Sequence, residues 1–136
     1  MRRIVLLVLV LSLCLTGCVV AVEKSDNDKD LNKFDIKYIE GKNVVIDEQT
    51  YIALFYEYTN RADETAIPAE QVDVKAFQNG EELVITVFTG DKIEGAVQCD
   101  TSIQKGTTAR IVWLFERVDD SPVSIEMSNG NKFVVE

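Results

Sequence analysis

After Phe34, apolar and polar residues alternate with a period of two in short runs separated by glycine, asparagine and acidic pairs. No stretch there sustains the 3.6-residue period of an amphipathic helix, so the pattern predicts strands and turns. The runs fall at residues 34–39, 44–47, 51–59, 71–78, 82–88, 96–100, 107–118, 123–127 and 132–135. That many strands in about 100 residues is the size of a sandwich of two packed sheets.

Turn chemistry sets the register of two hairpins. Asn79-Gly80 is the preferred pair for a two-residue type I′ turn, whose central positions both need positive φ. Closing the chain there pairs Gln78 with Glu81, Ala76 with Leu83, Val74 with Ile85 and Val72 with Val87. Those apolar residues share one face, opposite Asp73, Lys75, Glu82 and Thr86, with Phe77 and Val84 as exceptions. At the C-terminus a two-residue turn would mix the faces. A three-residue loop at Ser128-Asn129-Gly130 instead pairs Glu126 with Lys132, Ile125 with Phe133 and Val123 with Val135, and puts Gly130 in a left-handed conformation.

The two longest runs carry most of the aromatic residues. In 51–59, Ile52, Leu54, Tyr56 and Tyr58 alternate with Tyr51, Ala53, Phe55 and Glu57, and either face could pack inward. In 107–118, Ala109, Ile111, Trp113 and Phe115 alternate with Arg110, Val112, Leu114 and Glu116, which predicts a central strand buried largely on both sides. Trp113 is then a core residue. Because no cysteine pair flanks it, the expected fold is an immunoglobulin-like antiparallel β-sandwich rather than an immunoglobulin domain proper.

The N-terminus has another pattern. Arg2 and Arg3 precede an apolar run over residues 4–15, which is shorter than the roughly 20 residues a membrane-spanning helix needs. With a small-residue cleavage site these are the parts of an export signal. Leu15-Thr16-Gly17-Cys18 resembles the lipobox of bacterial lipoproteins. The resemblance implies diacylglycerol attached to the Cys18 sulfur, cleavage before Cys18, and a firm hold on the membrane through two acyl chains. The expected organisation is a signal peptide at 1–17, a lipidated N-terminus and acidic tether at 18–33, and a domain at 34–136. The expected address is the outer face of a Gram-positive cell membrane.

Charge and cysteine content narrow the remainder. Without Arg2 and Arg3 the chain has 12 basic and 23 acidic side chains and no histidine. This surface repels nucleic acid and favours a basic partner if it favours any. Cys14 falls in the signal and Cys18 carries the lipid, so Cys99 has no disulfide partner and is read as a small buried hydrophobe. In the tether, Asp26, Asp28 and Asp30 have the spacing that opens a calcium loop. Leu31 and Lys37 stand where that loop needs glycine and a bidentate glutamate, so no metal site is expected.

Without histidine there is no Ser-His-Asp triad or imidazole acid-base step. The glycines, among them Gly41, Gly80, Gly90, Gly95, Gly106 and Gly130, are read as turn positions, and none belongs to a phosphate-cradling loop before a helix. The acidic pairs Glu81-Glu82 and Asp119-Asp120 sit at expected turns, where carboxylates are solvated. No enzymatic activity and no cofactor are expected; a carboxylate-based hydrolase is the weakest alternative.

Tyr56-Glu57-Tyr58-Thr59-Asn60, then residues 74–83, Gln104-Lys105-Gly106 and Ser121-Pro122-Val123 resemble the small lipoprotein domains of the DUF5067 and DUF4352 kind. The resemblance covers the chain from about Val44 onward and implies an immunoglobulin-like sandwich on the cell surface, with no catalytic residues to carry over. The functional expectation is a lipid-anchored, non-catalytic binding module for an unidentified protein or envelope partner. An accessory subunit of a membrane transport or envelope system is the alternative. Contact regions are expected at residues 60–70, through Asp63, Glu64 and Glu70, and at residues 88–95.

Overall fold

A computed structural model describes residues 33–89 and 93–136. Residues 34–136 form a compact unit of their own. The elements are β1 (Phe34–Ile46), β2 (Gln49–Asn60), one helical turn α1 (Pro68–Gln71), β3 (Val74–Gln78), β4 (Glu81–Glu82), β5 (Ile85–Thr86), β6 (Val97–Gln98), β7 (Thr108–Glu116), β8 (Val123–Met127) and β9 (Lys132–Val135). Two sheets face each other. One runs β1-β2-β7-β5 with β6 also on β7, and the other runs β4-β3-β8-β9.

Of the two faces of 51–59 that the alternation left open, the one with Ile52 turns to the opposite sheet. Ile52, Leu54, Tyr56 and Tyr58 of β2 and Ile111, Trp113 and Phe115 of β7 meet Val74, Ala76, Val123 and Ile125 of the opposite sheet. The other face of β2 is buried as well. Tyr51, Ala53 and Phe55, with Val112 and Leu114, are covered on the outside by Phe88, Ile93 and Ala96. Trp113 is fully buried and meets Tyr56 edge to face.

Both turns have the chemistry expected of them. Asn79 and Gly80 take φ of 55° and 82°, and Gln78 pairs with Glu81. At the C-terminus Glu126 pairs with Lys132, Ile125 with Phe133 and Val123 with Val135, with Gly130 at φ 91°.

Four expectations are corrected. The runs 34–39 and 44–47 are one strand, continuous across a bulge between Tyr38 and Glu40. Gly41 is therefore a strand residue, and a Cβ there would meet the Tyr38 hydroxyl at 2.9 Å and Val135 at 3.1 Å. The first hairpin ends early: Leu83 N–H still bonds Ala76 O, but Val74 pairs with Met127 and Ile85 with Phe115 of the other sheet. The chain changes sheets at residues 83–84, which leaves Ile85 and Val87 exposed instead of buried. Finally, β6 pairs with β7 in parallel. The lipobox residues Leu15, Thr16, Gly17 and Cys18, and the calcium-like aspartates, lie outside the described residues.

Candidate functional site

Strand alternation carries two polar residues into the interior at one end of the sandwich. Gln78 continues the inward series Val72, Val74, Ala76, and Arg117 continues Ile111, Trp113, Phe115. Both are buried. A polar group there must be fully hydrogen-bonded, and the segment after β7 supplies the partners. Gln78 Nε2 donates to Asp119 O at 2.9 Å and Ser121 O at 2.6 Å, while Gln78 Oε1 accepts from Val118 N–H at 2.9 Å. Arg117 donates through Nε to Asp119 O, through Nη2 to Ser121 O, both at 2.8 Å, and through Nη1 to Asn43 Oδ1 at 2.6 Å.

The loop of residues 117–122 is thus hung from two interior side chains and also tied to β1. Asp119 completes its fold by accepting from Ser121 N–H and from Asn79 Nδ2. These bonds, the Ser121 backbone first, hold the Asp119 carboxyl below the usual carboxylate range. The result is a fixed concave surface. Its cleft, of about 310 Å³, is lined by Glu48, Gln49, Thr50, Arg117, Val118, Asp119 and Asp120. Glu48, on its rim, and the preceding Asp47, both in the β1–β2 turn, hold φ of 68° and 48°, a region non-glycine residues seldom occupy.

Glu81 and Glu82, which follow the Asn79-Gly80 turn, bring further exposed carboxylates to this end. These residues give the cleft a polar, acidic rim, and the Arg117 guanidinium in its lining is already hydrogen-bonded at each of its nitrogens. The cleft can hold cationic groups by charge and hydrogen bonding. It assembles no paired nucleophile and base among the described residues.

The chain enters the domain at the opposite end, where Phe34 pairs with Asn60. Asp63, Glu64 and Glu70 all sit here and are exposed. Their loop is anchored rather than loose: Asn60 accepts from Ala62 N–H and donates to Glu64 O and Ile103 O, and Ala66 bridges to Ile103. Asp63 lies 3.5 Å from Lys105 Nζ, and Arg61 is paired with Asp35. Ile93, Glu94, Gly95, Ala96 and Val97, with Ala109 and Arg110, line a shallower and more apolar hollow of about 470 Å³. Burial pushes the Cys99 thiol up to about 11, so it is a packed, unreactive group.

Gln78 and Arg117 escaped the sequence reading, which took both as strand residues. Their signal was parity: each is a polar residue at the next inward position of an apolar series.

A family model described as "Domain of unknown function (DUF5067)" matches residues 20–129. No curated protein matches the chain. The fold is similar to a solved structure described as "a putative lipoprotein from Staphylococcus aureus subsp. aureus NCTC 8325", with a TM-score of 0.61 at 17% identity over 77% of this chain and 84% of that one.

Proposed function

The chain belongs to the DUF5067 family, and on that premise we propose that it is a lipid-anchored, non-catalytic binding module of the outer membrane face, held through diacylglycerol on Cys18. The description of the Staphylococcus aureus protein as a lipoprotein agrees with Leu15-Thr16-Gly17-Cys18 ending an apolar export signal. One observation carries the binding role. The tether joins one end of the sandwich, and the end about 12 strand residues away presents a rigid cleft with Glu48, Asp119 and Asp120 on its rim. At roughly 3.3 Å per residue that separates the cleft from Phe34, where the domain begins, by about 40 Å. The partner that fits is a basic protein or a cationic envelope component. Asp63, Glu64 and Glu70 form a second acidic surface at the tether end.

The test is affinity capture from envelope extract by residues 34–136, beside a Glu48→Gln/Asp120→Asn variant. A partner retained by the wild type, released by salt and lost in the variant supports this reading. Retention of no specific partner, or equal retention by the variant, refutes it.

A further inference from the structure

Strand β1 is the 13-residue edge of its sheet, and its outer side is unpaired among the described strands. An edge of that length leaves a row of backbone donors and acceptors open to another strand. Charges and a bulge are the usual guards of such an edge. Here both are arranged so that the strand complements itself.

The bulge at Ile39 sets the faces. Lys37 lies opposite Glu57, and after the extra residue Glu40 lies opposite Phe55 and Lys42 opposite Ala53. Glu57, Phe55 and Ala53 share one face of β2, so Asp35, Lys37, Glu40 and Lys42 share the outward face of β1. Their signs alternate along the strand. Without the bulge, Lys37 and Glu40 would point to opposite faces.

We infer that the free edge of β1 pairs antiparallel with β1 of a second copy about a two-fold axis at Tyr38. With Ile39 bulged out of each strand, Lys37 faces Glu40 of the second copy and Asp35 faces Lys42. Ile36 meets Gly41 on the inner side. Shifting the register by two residues in one direction sets Lys37 against Lys42 and Glu40 against Glu40. The opposite shift sets Asp35 against Glu40 and Lys37 against Lys37. Like charges directly opposite are destabilising, so of these three registers the one centred on Tyr38 is favoured, and it alone gives all four charged residues an opposite partner.

The pairing also extends a charge row already present. In register Lys37 lies opposite Glu57 and Glu57 opposite Arg110, whose guanidinium bonds Glu40 of the same chain at 2.9 Å, and a second copy's Lys37 would join that group at Glu40. Tyr38 and Ile39, 37% and 41% exposed in the single chain, lie at the centre of the junction. The joined sheets would form one continuous sheet across two molecules. The inference is independent of the anchor and of the cleft.

Sedimentation equilibrium of residues 34–136, the compact unit that contains both core clusters, tests it. The expected result is a monomer–dimer equilibrium. Lys37→Glu should raise its dissociation constant about tenfold, since the change places like charges at two symmetry-related positions. Lys42→Glu, facing Asp35, should do the same. The swap Lys37→Glu/Glu40→Lys should return the constant to within about threefold of wild type, with unchanged circular dichroism confirming that each variant is folded. A monomer at every concentration up to about 1 mM, a single reversal without effect, or a swap that fails to restore the dimer would overturn the inference.

Discussion

Replacing Gln78 tests whether two interior side chains hold the cleft loop. Gln78→Leu keeps nearly the same volume and removes the hydrogen bonds. Three are short: 2.9 Å to Asp119 O, 2.6 Å to Ser121 O and 2.9 Å from Val118 N–H. A fourth, from Asp119 N–H at 3.4 Å, contributes little. At about 1 kcal/mol net per bond the loss is about 3 kcal/mol. Both carbonyls keep their Arg117 donors, which lowers the expected cost to about 2–3 kcal/mol. For a domain of about 100 residues each kcal/mol moves the midpoint by roughly 4–8 °C, so Tm should fall by roughly 10–20 °C. Thermal melts and urea titrations of residues 34–136, followed by circular dichroism, read the change, with an unchanged m value marking a loss of stability alone. Gln78→Glu separates donor from acceptor. It keeps the acceptor for Val118 but sets a carboxylate against two carbonyl oxygens, so it should be at least as damaged at neutral pH and recover partly in acid. A Gln78→Leu midpoint within about 2 °C of wild type would refute the claim that the loop hangs from this side chain.

Tyr56→Phe should stabilise the domain by about 1 kcal/mol, because the buried Tyr56 hydroxyl has no hydrogen-bond partner and leaving it unmade costs about 1–3 kcal/mol; a lower melting temperature would reveal a bond that the structure does not contain. Glu48→Gly should raise stability by about 0.5–1 kcal/mol in a denaturant titration by relieving the left-handed φ of 68°, and a loss would mean that Glu48 makes a compensating contact. Asp119 has a depressed pKa, so its contribution is present above the ordinary carboxylate range and is lost as pH falls through the folded-state value. The melting-point gap between wild type and Asp119→Ala should accordingly be open at neutral pH and close in strong acid, and a gap independent of pH would contradict the assignment.

Much of the sandwich was legible because period and turn chemistry agreed. Gly130 fixes a three-residue loop, Asn79-Gly80 fixes a two-residue one, and the apolar series of 51–59 and 107–118 identify the two central strands. What escaped depended on contacts remote in sequence. The alternation of residues 82–88 continues smoothly through Leu83, Ile85 and Val87, and nothing local marks the point where the chain leaves one sheet for the other. That decision belongs to Phe115, whose backbone takes Ile85 as a partner. Gly41 resembled a turn glycine because its actual constraint, the approach of the Tyr38 hydroxyl and Val135, comes from residues three and 94 positions away. The cleft was hidden for the same reason. Asp119 and Asp120 were visible as turn residues, but Glu48 was not singled out, and Gln78 and Arg117 become a joint support only when β3 and the end of β7 are brought together.

The anchor is the centre of the functional account, and Cys18→Ser tests it most directly. In cells grown with labelled palmitate, wild-type protein should carry the label and remain with the membrane after washing in high salt and alkali. Cys18→Ser protein should carry no label and be released or left unprocessed, with residues 34–136 still folded. A Cys18→Ser protein that is labelled, processed and membrane-bound like the wild type would contradict the account.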